Sequence, residues 1–163
     1  MVIVAISGCE KDPTDMETPI EDLQRGDEYQ GGFVVINVQD GLAVKDEQGG
    51  LTKGDPFIAI VNKVDLGPYY VDEMLAAAKS FREGGYNDWF IPGALHQINW
   101  MMALKFLPDG NSAYGLTELK WYWFLNGDSP SIRLCPPSIY STEWTSNLGS
   151  DPHPLRMMRI IYY

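Results

Sequence analysis

Residues 84–92, Gly-Gly-Tyr-Asn-Asp-Trp-Phe-Ile-Pro, separate two helical patterns and carry the strongest indication of the fold. Before them, residues 71–81 place apolar side chains at the spacing of a helix face, and the glycine pair ends that pattern. After them, residues 92–107 show the same spacing, and proline is common in the first turn of a helix. The sequence therefore predicts two consecutive helices joined by this stretch.

Five residues in this stretch and in the C-terminal segment are assigned structural roles. Asp88 is expected to cap or turn the chain, Trp89 to fill the core between the helices, and Pro92 to open the second helix. Arg156 and Arg159 lie three apart on a predicted strand, so we expect them to face opposite sides. One of the two arginines is expected to pair with an acid at the margin of the core.

Strands are predicted on both sides of the helices. Residues 33–38 are a β-branched run, and Asp40-Gly41 is a hairpin signal after which residues 42–44 return. The other strand candidates are residues 56–61, 120–125, 139–144 and 155–163. The last of these is apolar on both faces, so we expect it to be a central strand. Strands, two helices and then strands again indicate the α+β class.

Length and charge narrow the possible partners. The chain has 163 residues, the size of one domain with a sizeable core. Its 22 acidic and 12 basic residues give a net charge of −10, which argues against nucleic acid or anionic lipid headgroups as partners. No apolar run reaches the roughly 18 residues of a membrane-spanning helix.

Residues 1–9, Met-Val-Ile-Val-Ala-Ile-Ser-Gly-Cys, have the pattern of a bacterial lipoprotein signal. An apolar run and small residues precede Cys9, and charged residues follow it at once. In such a signal the apolar run enters the membrane, the small residues fit the peptidase, and the thiol takes the lipid. Cys9 is therefore the predicted lipidation site. The alternative is a buried first strand that ends in an ordinary cysteine.

Three parts are predicted along the chain: the signal-like segment 1–9, an acidic tether at 10–27 and a folded domain at 28–163. The tether has two prolines and few apolar residues, which is typical of a solvated linker. An acidic stretch directly after a lipidated cysteine also resembles the export signal of surface-displayed lipoproteins. That resemblance implies a location at the cell surface or outer membrane.

The sequence contains no catalytic motif. Glycine-rich phosphate loops, His-Glu-x-x-His, Cys-x-x-Cys and Gly-x-Ser-x-Gly are all missing. Cys135 is interpreted as a small buried hydrophobe, and His96 and His153 as structural or solvent-exposed. We therefore predict neither an enzyme, nor a cofactor, nor a metal site.

Four segments together resemble the Lcl C-terminal domain family, which has the C-type lectin-like fold. They are Gly-Asp-Glu-Tyr-Gln-Gly-Gly-Phe-Val-Val at 26–35, the stretch at 84–92, Ile-Tyr-Ser-Thr-Glu-Trp at 139–144 and Leu-Arg-Met-Met-Arg at 155–159. The resemblance spans residues 26–163 and implies two helices packed on small antiparallel sheets. It also implies a bacterial surface lipoprotein with a role in adhesion. Residues 108–137 match no segment of that family.

Ligand contacts are predicted between residues 121 and 147, because binding sites concentrate on loops over a rigid scaffold. The rings of Trp121 and Trp123, or that of Tyr122 on the opposite face, are candidates to stack on a sugar. The polar and aromatic candidates on predicted loops are Asn126, Asp128, Glu143, Trp144 and Asn147.

The sequence thus predicts a binding or adhesion module, lipid-anchored at the cell surface, whose ligand is a glycan or a cell-surface protein. Two other classes stay open. One is a structural or assembly component, such as a pilus-associated or virion protein. The other is an enzyme of the sulfatase-modifying-like fold, which would need a reactive cysteine in a pocket, and Cys135 is the one available.

Overall fold

The computed structural model describes residues 18–45, 51–93, 95–104, 116, 120–126, 129–134, 144–145 and 151–163. Within these residues the chain is an α+β structure, which confirms the predicted class. Two α-helices accompany sheets of four, five and two strands in this described part. Neither helix is long and apolar enough to cross a membrane.

The helices are α1 (Val71–Ser80) and α2 (Leu95–Ala103). The strands, numbered in chain order, are β1 (Glu28–Tyr29), β2 (Gly32–Val38), β3 (Ala43–Lys45), β4 (Leu51–Lys53), β5 (Phe57–Asn62), β6 (Leu66–Tyr69), β7 (Trp121–Asn126), β8 (Ser129–Leu134), β9 (Trp144–Thr145), β10 (His153–Leu155) and β11 (Met158–Tyr162). Short 3-10 turns lie at Ile20–Asp22 and Glu83–Gly85.

The four-stranded sheet has the order β1-β2-β5-β11, and its neighbouring strands are antiparallel. All of β5 is buried, and so is β2 over residues 32–35. Apolar, β-branched runs of this kind suit strands that are covered on both faces. The strands predicted at 33–38 and 56–61 are therefore confirmed. The sequence pattern of α1 is confirmed too, with Met74 as its fully buried residue.

The hairpin predicted after β2 is wrong in its pairing. Asp40-Gly41 does lie in a turn, in which the Gly41 N–H donates to the Val38 carbonyl at 3.4 Å. However, β3 pairs with β4, and β2 takes β5 as its antiparallel partner. A Cβ at Gly41 would lie 2.0 Å from the Gly54 carbonyl oxygen, so this glycine is where the chain passes close to the end of β4.

The C-terminal strand is divided between two sheets. The five-stranded sheet has the order β6-β10-β7-β8-β9, and β10 lies inside it, parallel to β7 and antiparallel to β6. β11 lies at the edge of the other sheet, beside β5. The prediction of one central strand at 155–163 is therefore wrong. Apolar residues on both sides of a strand show that its faces are covered, not that both its edges are paired.

The second helix starts later than predicted. α2 begins at Leu95, so Pro92 precedes the helix. The Pro92 carbonyl accepts the N–H of Leu125 at 3.0 Å, and the Gly93 N–H donates to Gln97 Oε1 at 3.0 Å. The residues before α2 are therefore bonded to β7 and to the helix itself, which excludes Pro92 from the first turn.

The packed part of the chain begins well before residue 28. Leu23 is in the core, the Gly26 N–H donates to the Val34 carbonyl at 2.8 Å, and the Val34 N–H donates to the Asp27 carbonyl at 2.8 Å. β1 pairs only with the first two residues of β2. Residues 20–27 therefore lie along the edge of β2 that β1 leaves open, and the predicted boundary at 28 is too late. The segments at 1–9 and 10–17 lie outside the described residues.

The two larger sheets are joined at the end of β5 by the buried Asn62. Its backbone N–H donates to the Met157 carbonyl at 3.0 Å, and its Oδ1 accepts the Met157 N–H at 2.7 Å. The fully buried Arg156 donates to the Asn62 carbonyl at 2.5 Å and to Asp65 Oδ1 at 2.8 Å. These bonds satisfy buried polar groups where the chain crosses from β10 to β11.

Candidate functional site

The aromatic run predicted to contact a ligand lies largely in the interior. Trp123 is only 2% exposed, and its Nε1 donates to the Tyr69 carbonyl at 2.8 Å. Its ring lies edge-on against His153, with 5.4 Å between ring centroids. Tyr122 is fully buried and Trp121 half-buried. The prediction that Trp123 stacks on a ligand is therefore wrong. β7 is an inner strand, and Tyr122, Trp123 and Phe124, which alternate between its two faces, are all buried.

The other predicted ligand contacts are placed only in part. Asn126 ends β7 and Trp144 begins β9, so both lie at strand ends. Their side chains fall outside the described structure. The remaining predicted site residues outside the described residues are Cys9, Asp128, Glu143 and Asn147. The prediction of a binding surface on the loops of residues 121–147 therefore stays a prediction.

Three side chains from two distant segments meet around Arg159. Its Nε donates to Asp88 Oδ1 and its Nη1 to Gln30 Oε1, each at 2.5 Å. Its guanidinium carbon lies 3.7 Å from the centroid of the Tyr86 ring, a cation–π contact. Arg159 is buried, whereas Asp88 is exposed. The expectation that one of the C-terminal arginines pairs with an acid thus holds for both of them, because Arg156 pairs with Asp65.

Two glycine pairs let the turn after β1 approach residues 84–92. A Cβ at Gly31 would lie 3.3 Å from the backbone nitrogen of Gly84, and a Cβ at Gly32 would lie 2.5 Å from a carbonyl oxygen of β5. Gly31 and Gly84 also have φ values of +90° and +65°, which L side chains rarely adopt. Because these glycines have no side chain, the two turns pack closely together. Gln30 and Tyr86 can therefore both contact Arg159.

Beside this contact is a groove of about 470 Å³, which we call the Tyr29 groove. It is lined by Thr18, Leu23, Glu28, Tyr29, Gln30 and Tyr86. Both tyrosines are half-buried, so part of each side chain remains accessible. A tyrosine side chain offers apolar ring surface and a hydroxyl group. The volume lies in the range of pockets that hold small ligands. This groove is the candidate functional site.

The charges of the Tyr29 groove are paired. Glu28 forms an ion pair with Lys63, and Arg159 behind the groove forms one with Asp88. The described lining therefore presents two phenol rings, hydroxyl groups and an amide, without an unpaired ionic group. Such a lining suits an uncharged polar ligand, which needs ring contacts and hydrogen bonds rather than a counterion.

Glu83 lies next to the same turn. Burial raises the pKa of its carboxyl, and the positive charges of Lys63 and Arg156 partly oppose that rise. Its backbone carbonyl accepts the indole N–H of Trp89 at 3.1 Å. Trp89 is 7% exposed, as predicted, and its ring lies edge-on to Phe81. The turn that positions Tyr86 is thus attached to the core.

A smaller cavity, of about 240 Å³, shares Leu23 with the Tyr29 groove. Asn37 lines it and donates through Nδ2 to the carbonyls of Ile20, Glu21 and Leu23 at 3.0, 3.2 and 2.9 Å. Because this amide is engaged in holding residues 20–23 on β2, we interpret the smaller cavity as structural.

Sequence reasoning does not find the Tyr29 groove. It interprets Thr18 and Leu23 as part of a tether, and it places Tyr29 at the start of the domain. The signal that points to the groove is a tyrosine close to each glycine pair, at Tyr29 and at Tyr86. That signal becomes meaningful only when the two glycine pairs are known to be in contact.

Within the described residues, no three His, Cys, Asp or Glu side chains are grouped so that they could hold a metal ion. Comparison with known proteins found no matching family model and no similar curated protein. The chemistry of the Tyr29 groove and the motifs of the sequence therefore carry the functional proposal.

Proposed function

We propose that this chain is a lipid-anchored binding module of the cell surface with a C-type lectin-like fold, and that it contacts a glycan ligand through the Tyr29 groove. The sequence of residues 1–9 supports the anchor on Cys9. The α+β architecture and the segments at 26–35, 84–92 and 155–159 support the fold. The groove supports a binding role.

A glycan is the ligand that the groove favours. The single observation that carries this choice is the lining itself: two half-buried tyrosines and an amide, with Glu28 and Arg159 already paired. Sugar rings offer apolar C–H faces to aromatic rings and hydroxyl groups to polar side chains. An ionic ligand would find no unpaired charge among the described lining residues.

A protein ligand, or a role in assembly, is favoured by a different surface. β11 is an edge strand, and only Met158 at its start is bridged on the outer side, by Phe90, among the described residues. Tyr162 is 66% exposed, and β11 contains no acidic residue. An edge of this kind, whose single charged residue Arg159 is paired with Asp88, can accept a strand from another chain.

The experiment is a binding screen of the full chain against an array of neutral and sulfated glycans, with a protein pull-down in parallel. We expect binding to neutral glycans, lost in Tyr86→Ala and kept in Tyr162→Ala. Each variant removes one tyrosine ring, so the pair compares the groove with the strand edge. Retained melting temperatures serve as the control for folding.

Two further outcomes would contradict the proposal. Binding that survives Tyr86→Ala but is lost in Asn126→Ala or Trp144→Ala would place the ligand on the loops of residues 121–147. Capture of a protein that depends on Tyr162, without any glycan binding, would favour the protein ligand or the assembly role.

A further inference from the structure

A directed chain of hydrogen bonds ends at the hydroxyl of Tyr29, and the following inference rests on the proposed function of the groove. Arg159 Nη1 donates to Gln30 Oε1 at 2.5 Å, and Gln30 Nε2 donates to Tyr29 Oη at 3.0 Å. Arg159 is buried and is itself held by Asp88 and by the Tyr86 ring. The chain therefore runs from a fixed interior cation to a side chain of the groove.

Chemistry fixes the direction of this chain. A guanidinium group has only donors, so the atom of Gln30 that faces Arg159 must be the amide oxygen. The amide nitrogen is then the atom that faces Tyr29, and it can only donate. Tyr29 Oη consequently accepts a hydrogen bond from Gln30.

The proton of the Tyr29 hydroxyl takes no part in the hydrogen bond with Gln30. It cannot point back at the amide nitrogen of Gln30, which has no acceptor lone pair to offer. Among the described residues, no hydrogen bond uses this proton, and Tyr29 lines the groove. A hydroxyl that already accepts a bond from a charged network also becomes a better donor.

We propose that Tyr29 is a specificity-determining residue whose hydroxyl donates to an acceptor oxygen of the ligand, and that Arg159 sets this role through Gln30. The site then selects a ligand that places a hydroxyl, ring or carbonyl oxygen at Tyr29. A ligand that offers only N–H donors at this position, such as an ammonium group, is rejected. Arg159 acts as a positioning residue in this arrangement.

The first test needs no ligand. In the Raman spectrum the intensity ratio of the tyrosine doublet reports whether the phenol accepts or donates a hydrogen bond, and the difference between wild type and Tyr29→Phe isolates Tyr29. We expect the signature of a phenol that accepts a hydrogen bond from Gln30 while its own proton donates to solvent. Gln30→Glu should change this to the signature of a donor alone, because a carboxylate has no donor and Tyr29 would then donate to residue 30. A donor-only signature in the wild type would overturn the inference.

The second test measures binding of the full chain to an array of neutral oligosaccharides. Tyr29→Phe and Gln30→Glu should each weaken binding about five- to tenfold, the effect of one hydrogen bond. Asn99→Asp makes the same amide-to-carboxylate change at an exposed position of α2 outside the groove lining, and Tyr70→Phe removes an exposed hydroxyl elsewhere. Both control variants should bind like the wild type.

Deoxy analogues of the best-bound array sugar locate the partner oxygen. Removing the oxygen that Tyr29 contacts should weaken binding by the same factor, and Tyr29→Phe should then have no additional effect. If Tyr29→Phe binds normally while Tyr86→Ala does not, the inference fails and the groove proposal stands. If no sugar binds, the proposed glycan function fails, and the assignment of Tyr29 as a ligand donor fails with it.

Discussion

Two arginines near the C terminus attach the last strands to acids that lie far away in the sequence. Arg156 pairs with Asp65, and Arg159 with Asp88, over separations of 91 and 71 residues. Both guanidinium groups are buried, so each depends on its partner to offset the loss of hydration. Loss of either buried pair should therefore lower the free energy of unfolding more than loss of a surface ion pair.

Asp65→Asn tests this difference. Asp65 accepts hydrogen bonds from Arg156 Nε and Lys120 Nζ, each at 2.8 Å, and from the Tyr122 hydroxyl at 3.2 Å. Removing its charge leaves Arg156 buried without this counterion, which should lower the free energy of unfolding by about 3–5 kcal/mol. Urea denaturation measures the change.

The matched control for that variant is Asp40→Asn. Asp40 is fully exposed and pairs with the exposed Lys53, whose ammonium group lowers the pKa of the Asp40 carboxyl. Exposed pairs contribute little to stability, so the urea midpoint should not move. Equal effects of the two substitutions would contradict a special role for the buried pair.

Trp89→Ala should destabilise the fold by about 3–5 kcal/mol, enough to unfold many domains of this size. The indole is buried, donates to the Glu83 carbonyl and packs edge-on against Phe81. Circular dichroism and thermal melting report the loss. Trp89→Phe, which keeps ring packing but not the hydrogen bond, should lose less. A folded Trp89→Ala variant that no longer binds ligand would instead make Trp89 functional.

Glu83 should give stability an unusual pH dependence. Its folded-state pKa is raised above the ordinary value of 4.5, mainly by burial, so the folded protein holds the proton more tightly than the unfolded chain. Its contribution to stability is therefore present below pH 4.5 and is lost as the pH rises through the folded-state pKa. Glu83→Gln should be more stable than the wild type at neutral pH, and the difference should shrink below 4.5. Urea midpoints of both proteins across this range test the sign.

At the scale of elements, residues 20–27 act as an irregular edge cover for β2. They bond to β2 through Gly26, Asp27 and the side chain of Arg25, which donates to the Val35 carbonyl at 2.8 Å. An uncovered edge would be open to pairing with another chain. Because Thr18, Leu23 and Glu28 come from this segment or its ends, the edge cover also forms one wall of the Tyr29 groove.

Asn37→Ala should loosen this edge cover without unfolding the sheet. The two protons of the Asn37 amide are shared among the carbonyls of Ile20, Glu21 and Leu23, and these contacts are lost together with the bond from the Tyr163 hydroxyl to Asn37 Oδ1. We expect faster amide hydrogen exchange at residues 20–27 and weaker ligand binding, with little change at β5. Gln39→Ala, which removes a single bond to the Glu21 carbonyl, should have a smaller effect. Unchanged exchange in Asn37→Ala would show that other contacts hold the segment.

At the scale of the whole molecule, the net charge of −10 and the predicted lipid act in opposite directions at a membrane. Anionic headgroups repel the chain, so a lipidated form would be held at the surface by its acyl chains alone. The acidic stretch after Cys9 would then keep the folded part away from the headgroups. This arrangement would leave the Tyr29 groove accessible to a ligand.

Cys9→Ser should abolish lipidation. When the chain is expressed in a bacterium with its lipoprotein pathway, we expect the variant to lose palmitate labelling and to leave the membrane fraction. Cys135→Ser, the matched substitution of the other cysteine, should keep both. Labelling that persists in Cys9→Ser would disprove the anchor.

The sequence by itself determined the class of the fold and several of its elements. The helix predicted over residues 71–81 is present as α1. The strands predicted from the two β-branched runs are β2 and β5, and the strand predicted from the aromatic run is β7. The burial of Trp89 was predictable as well. These features follow from local propensity and from the period of apolar residues, which depend on neighbours within one element.

Only the tertiary structure decided which elements pair and where a ligand could bind. β2 pairs with β5 and not with β3, β11 is an edge strand, and Trp123 is buried. The Tyr29 groove depends on contacts such as that between Gln30 and Arg159, which are 129 residues apart. Periodicity shows whether a side chain is buried, but not which distant side chain it meets, because that depends on how the sheets and turns pack together.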